Sequence, residues 1–208
     1  MNLLQMTNFH SNPNLATESF LVTRQQKEAL NRQKAFVIWF TGLSCSGKST
    51  LARNLEVRLF NAGIRTLILD GDNTRQTINR DLDFSPGGRA ENIRRVAEMA
   101  KLLNDAGVVV ITAFISPYRK DRAIAKEIIG ENYFTEVFVD APLEVCILRD
   151  TKGLYQKALN GELMDFTGVS SPYEEPLQPQ ITVHTANQTP EEAVNQIINF
   201  ISSENLIK

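Results

Sequence analysis

The run Gly42-Leu43-Ser44-Cys45-Ser46-Gly47-Lys48-Ser49, followed by Thr50, fits the pattern Gly-x4-Gly-Lys-Ser/Thr without a mismatch. Each residue type in it has a use against a polyphosphate. The glycines let backbone N–H groups converge on phosphate oxygens, the Lys48 ammonium neutralises the β- and γ-phosphates, and the Ser49 hydroxyl can hold Mg²⁺. A helix starting at this point adds favourable dipole charge. These residues therefore point to a bound nucleoside triphosphate. Twenty or so residues on, Asp70 and Asp72 form a second chemical group. One carboxylate can serve Mg²⁺ while the other orients or deprotonates an acceptor hydroxyl, the division of labour that phosphoryl transfer to a small alcohol needs. Asp70-Gly71-Asp72-Asn73 also suits a plain turn, so the acids alone leave that reading open.

Strands and helices must place these groups. Residues 35–41 read as a buried strand, and residues 49–61 as an amphipathic helix with Leu51, Leu55 and Leu59 on one face. Strand, loop and helix thus follow in the order a phosphate site requires. A short helix over residues 23–31 precedes them. Residues 66–70 form a second strand, and Asp70 to Asn73 an acidic turn at its end. A helix is expected over residues 89–105, closed by Gly107. The almost wholly apolar residues 108–114 suit a central parallel strand covered on both faces. A helix at 120–129, a strand at 135–140, a short helix at 142–149 with Pro142 near its first position, and a strand at 181–184 follow. Thr189, Pro190, Glu191 and Glu192 open a terminal helix with cap, proline and first-turn acids in order. Residues 152–171 mix basic, glycine and aromatic residues and read as a lid or substrate loop. Alternating strands and helices predict an α/β fold, a doubly wound and mainly parallel sheet with helices on both faces.

The 208 residues, 42% hydrophobic and 22% charged, suit one soluble domain, expected over residues 23–208 behind a mobile Asn/Ser/Thr-rich tail at residues 1–22. A formal charge of −2 argues against a broad nucleic-acid surface, though a local basic pocket stays open. Cys45 and Cys146 lack metal-ligand spacing and point to a reducing compartment. With no long apolar stretch and no secretory pattern, no membrane partner is expected and a cytoplasmic location is.

A phosphate loop alone does not separate a GTPase switch from a kinase. The guanine-reading Asn-Lys-x-Asp pattern is absent, and the Asp-x-x-Gly match at Asp150-Thr151-Lys152-Gly153 follows a helix, which disfavours a switch. The runs Leu69-Asp70-Gly71-Asp72-Asn73-x-Arg75, Asn79-Arg80-Asp81-Leu82-x-Phe84-Ser85 and Arg89-x-Glu91-Asn92-Ile93-Arg94-Arg95 are more specific. So are Thr112 to Arg119, Pro142 to Cys146, Lys152-Gly153-Leu154-Tyr155, Phe166-Thr167-Gly168 and Ser171-Pro172-Tyr173-Glu174. From about Val22 to the end, the chain resembles the adenylyl-sulfate kinase family.

That resemblance implies a P-loop NTPase fold and transfer of the ATP γ-phosphate to the 3′-hydroxyl of adenosine 5′-phosphosulfate, giving 3′-phosphoadenosine 5′-phosphosulfate. It implies that Lys48 and the loop amides hold ATP, that Ser49 and Asp70 serve Mg²⁺, and that Asp72 addresses the 3′-hydroxyl, the two acids being able to exchange roles. Arg75, Arg89 and Asn92 are similar to the family's anion- and nucleotide-holding residues, and a guanidinium fork suits tetrahedral oxyanions. Phe84 and Phe166 match aromatic positions that sandwich the substrate adenine, and Ile115 and Ser116 line the same site. Lys152 resembles a lid lysine that meets the phosphates, and Arg149 one beside the ATP adenine. Arg95, and less so Arg94, also suit a solvated helix face. Ser116 matches a serine described in parts of the family as a phosphoserine intermediate, although aligned donor and acceptor can react directly. A homodimer is expected by the same analogy, with ATP sulfurylase as a separate pathway enzyme.

The chain departs from the family pattern at Thr74-Arg75-Gln76-Thr77, at Pro86-Gly87-Gly88 where an acid usually stands two before Arg89, and in the lid at Thr151, Gln156 and Leu159. These changes bear on lid motion and affinity more than on reaction type. Two alternatives remain: another small-molecule kinase acting on a nucleoside monophosphate or sugar acid, and a non-catalytic nucleotide switch.

Overall fold

The computed structural model describes residue 18 and residues 20–207; most of the expected tail, residues 1–17 and 19, lies outside the described residues. Strands β1 (Val37–Thr41), β2 (Thr66–Asp70), β3 (Val109–Ala113), β4 (Phe134–Asp140) and β5 (Ile181–His184) form one parallel sheet in the order β2-β3-β1-β4-β5. The helices are α1 (Arg24–Asn31), α2 (Lys48–Asn61), α3 (Gly71–Gln76), α4 (Pro86–Asp105), α5 (Arg119–Ile129), α6 (Leu143–Arg149), α7 (Leu154–Leu159) and α8 (Pro190–Ser203), with a 3₁₀ turn at Glu131–Tyr133. Among the described residues no helix is long and apolar enough to cross a membrane.

Alternation along the strands divides the core into two layers. Phe36, Ile38 and Phe40 face α2 and α8, where Leu51, Leu55, Leu59, Val194, Ile197 and Ile201 cover them. Val37 and Trp39 face the other way, toward Ile93, Val96, Ala97 and Ala100 of α4 and Ala125 and Ile129 of α5. Both faces of β1 and β3 are therefore dry, which is why their sequences are apolar at all but one step each (Thr41 and Thr112) rather than at every second. A third, smaller cluster holds the lid: Cys146, Tyr155, Ala158 and Phe166 pack beside Ala141, with Leu43 and Cys45 of the phosphate loop against them.

Most expected boundaries hold to within one or two residues, and three elements change more, each for a local reason. The acidic turn is the beginning of α3, because the Asp70 side chain caps it by accepting from the Asp72 amide. Helix α4 starts at Pro86 rather than 89, since Ser85 caps it through the Gly88 amide and Pro86 occupies a first-turn position where no N–H is needed. Gly88 is tolerated because the space is taken: a Cβ there would collide with the Asp83 carboxylate and lie 2.7 Å from the Asp83 carbonyl. The lid loop is not loop throughout, as α7 forms inside it. Pro142 precedes α6 as its cap residue, and α8 carries the full capping box between Thr189 and Glu192.

Candidate active site

The sheet's carboxyl edge opens into a cleft of about 1160 Å³. Of the expected site residues, all but Gly42, Leu43 and Ser46 of the phosphate loop line it. The loop runs from the end of β1 to the start of α2, and its geometry explains its glycines. At Gly42 φ is +153°, and a Cβ would stand 2.5 Å from the Val139 carbonyl oxygen and 2.8 Å from Ser46 Oγ. No larger residue fits there without moving β4.

Lys48 is buried, its ammonium donating to the carbonyls of Gly42 (3.0 Å) and Leu43 (2.6 Å). Burial pulls its pKa down to about 8, with the nearby thiols and Asp70 and Asp72 pulling the other way. The loop is braced from outside. Thr185, just after β5, donates its hydroxyl to the Ser46 carbonyl at 2.7 Å. Arg149, at the end of α6, donates to the Thr185 carbonyl (2.6 Å) and hydroxyl (3.1 Å) and to the Cys45 carbonyl (3.4 Å). The Tyr155 hydroxyl, from the lid, donates to the Ser44 carbonyl at 3.1 Å. Sequence reasoning missed Thr185 and Tyr155 as loop supports, since no motif marks a residue that acts by closing onto a carbonyl.

The acids sit opposite. Asp70 Oδ2 accepts from Ser49 Oγ at 2.7 Å, and Oδ1 from the Asp72 amide at 3.0 Å. Asp72, in the first turn of α3, receives the Lys152 ammonium from the lid. Among the described residues no group of three or more His, Cys, Asp or Glu gathers to hold a metal. A hydroxyl beside one carboxylate nevertheless fits Mg²⁺, which keeps waters and takes much of its shell from substrate phosphates.

The far end of the cleft is basic and aromatic. Arg75 donates to the carbonyls of Leu82 (3.1 Å) and Asp83 (2.9 Å) and lies 4.3 Å over the ring of Phe84. Arg89 donates to the carbonyls of Phe84 (2.9 Å) and Asp165 (2.7 Å), so it joins the start of α4 to the lid. Burial, then for Arg75 the charge of Arg89, lowers the pKa of both guanidiniums. An anion between them would relieve that repulsion. Phe84 is exposed, whereas Phe166 is buried edge-on against Tyr155 at 4.9 Å, presenting only a margin to the cleft. Asn92 is buried at the cleft wall, its Oδ1 accepting from Asn79 Nδ2 at 3.0 Å.

Ile115 and Ser116 form the floor where β3 ends. Ser116 has φ +39°, is almost wholly buried, and its Oγ accepts from the Trp39 indole at 3.2 Å. Its carbonyl accepts from the Arg122 guanidinium at 2.7 Å, and Arg122 also donates to Glu136 (2.7 Å) and to the Glu174 carbonyl (2.7 Å). Arg94 and Arg95 are not part of the cleft: both pair with Glu91, and Arg95 also takes Asp81 at 2.8 and 2.9 Å, pinning the loop before α4.

The family model described as adenylylsulphate kinase matches residues 34–184. The chain belongs to that family. The adenylyl-sulfate kinases of Clostridium kluyveri and Clostridium acetobutylicum are 51% and 48% identical to it, over 91% and 93% of this chain and 94% and 96% of theirs. A solved structure of the Mycobacterium tuberculosis APS kinase CysC in complex with AMPPNP and APS is 42% identical. It superposes with a TM-score of 0.79, over 82% of this chain and 99% of that one. The doubly wound α/β P-loop fold is thus that of the adenylylsulphate kinase family.

Proposed function

We propose that this chain transfers the γ-phosphate of ATP to the 3′-hydroxyl of adenosine 5′-phosphosulfate, releasing ADP and 3′-phosphoadenosine 5′-phosphosulfate. The observation that carries this is one cleft with the phosphate loop at one end, the arginine pair with Phe84 at the other, and Asp70 and Asp72 between. The M. tuberculosis relative's complex with AMPPNP and APS supports the pairing of ligands.

Lys48 leaves the Gly42 and Leu43 carbonyls for the β- and γ-oxygens of ATP, where its ammonium is the favoured form. Arg149 flanks the adenine from the outer side of the loop. Ser49 and Asp70 would hold Mg²⁺, which when bound neutralises charge across the phosphates. Arg75 and Arg89 take the phosphosulfate, Phe84 offers its face to the substrate purine, and Phe166 closes from the lid. Asp72 accepts the 3′-hydroxyl proton as the oxygen attacks the γ-phosphorus in line and ADP departs. Lys152 shifts from Asp72 toward the phosphates as they arrive. Transfer is direct: Ser116 is almost wholly buried at the floor and its hydroxyl accepts from the Trp39 indole, so it supports the floor rather than carrying phosphate.

We place the enzyme in the cytoplasm, consistent with its free thiols, as a homodimer with ATP sulfurylase a separate enzyme. The test is ADP release in a coupled assay with ATP and adenosine 5′-phosphosulfate, AMP or gluconate. Release that depends on adenosine 5′-phosphosulfate alone is expected. Release with AMP or gluconate instead identifies another acceptor, and slow release with none identifies a switch.

A further inference from the structure

We infer that Asn79, which lies behind the cleft and not in its lining, is a positioning residue that turns the N–H face of the Asn92 amide toward the acceptor nucleotide. This rests on the acceptor assigned above. Asn79 is fully buried and donates its Nδ2 to Asn92 Oδ1 at 3.0 Å. An amide whose oxygen is engaged has only its two N–H donors left to offer. Asn92 lines the cleft, and among the described residues its Nδ2 has no protein acceptor. Two donors thus face the space where an acceptor nucleotide brings ribose and phosphosulfate oxygens.

The other end of Asn79 supports a functional reading. Its Oδ1 is buried without a donor. An orphaned buried carbonyl costs stability, so the pair is not explained by stability alone. The Asn79 backbone is also well placed to couple the two halves of the site. Its amide donates to the Thr74 carbonyl at 2.9 Å, and the Thr74 hydroxyl donates to the Asp70 carbonyl at 3.0 Å. One buried residue therefore ties α3, which carries Asp72 and Arg75, through its backbone amide, to Asn92 on α4 through its side chain.

The sharpest test is Asn79→Asp. A carboxylate only accepts, so Asn92 must rotate to donate to it, and its oxygen then faces an anionic substrate. The expected result is a KM for adenosine 5′-phosphosulfate raised about tenfold or more, the KM for ATP staying within about twofold, since a lost hydrogen bond to a charged partner is of that order. Should the buried charge prevent folding, Asn79→Ala and Asn92→Ala decide. Asn79→Ala should raise the same KM by itself and add nothing in the Asn92→Ala background. An unchanged KM for adenosine 5′-phosphosulfate, equal losses toward both substrates, or additive effects of the two alanines would overturn the role. If the unaltered chain shows no turnover with adenosine 5′-phosphosulfate, the acceptor assignment falls and the Asn79 role with it. Turnover with a variant KM unmoved sinks the Asn79 role alone.

Discussion

Lys152, on the loop between α6 and α7, donates to the Asp72 carboxylate in the first turn of α3, so the lid cation rests on the acid we propose as the proton acceptor. Both side chains are more than half exposed, at 55% and 64%. A pair this wet contributes little to folding. Lys152→Ala should therefore leave the thermal midpoint within about 2 °C while kcat/KM falls at least about tenfold, the split expected of a group that acts on phosphate. A scan by calorimetry beside steady-state kinetics reads both, and equal loss of stability and rate would contradict a role for the lid cation.

Asp72→Asn keeps the shape of the α3 start but removes the proton acceptor. Turnover should fall about 10²- to 10⁴-fold. Affinity for ATP, titrated by calorimetry, should stay within about threefold, because Asp70 and not Asp72 accepts from Ser49. Turnover near that of the unaltered chain would refute the assignment of Asp72.

Lys48 imposes a pH dependence whose sign is fixed by its burial. Its free-state pKa is about 8, and a polyphosphate favours the ammonium, so nucleotide binding takes up a proton above that pH. Affinity for ATP should be level from pH 6.5 to 7.5 and weaken about tenfold per pH unit beyond pH 8. Calorimetry in buffers of different ionisation enthalpy counts the proton directly. Binding that is flat to pH 9.5 with no proton uptake would show that the lysine is charged throughout.

Arg122 and Glu136 form a buried ion pair under the floor of the cleft. Removing one partner strands the other, at a cost of about 3–5 kcal/mol, so Arg122→Ala should lower the thermal midpoint by about 10 °C. Burial already raises the Glu136 carboxyl above the usual range, with Arg122 holding it down. Without the arginine that carboxyl rises further. A carboxyl raised in the folded state costs stability once the pH passes the unfolded value, so the deficit should grow between pH 5 and pH 8. A deficit independent of pH would mean that Glu136 finds another partner.

Much of this was legible before any coordinates. The phosphate loop announces itself because each of its residues is chosen by chemistry, and the central strands β1 and β3 because burial on both faces makes them almost wholly apolar. The caps at Ser85 and Asp70 were harder. Asp70-Gly71-Asp72-Asn73 is turn composition, and a six-residue helix offers too little periodicity to outweigh it. Pro86-Gly87-Gly88 reads as a break until Ser85 is seen capping through Gly88. The supports of the site were not legible at all. Thr185 reaches Ser46 across 139 residues and Asn79 meets Asn92 across a loop, contacts made by the fold with no local signature. Phe166 illustrates the converse: its type and place in a motif say aromatic contact, but only packing reveals that Tyr155 already holds one edge.

The chain has a single tryptophan, Trp39 of β1, and its indole is hydrogen-bonded to Ser116 at the floor of the cleft. The protein thus carries one built-in fluorophore, sealed from quenchers in solvent yet one bond away from the floor of the cleft. Its emission should shift when a ligand fills that cleft, with no label needed.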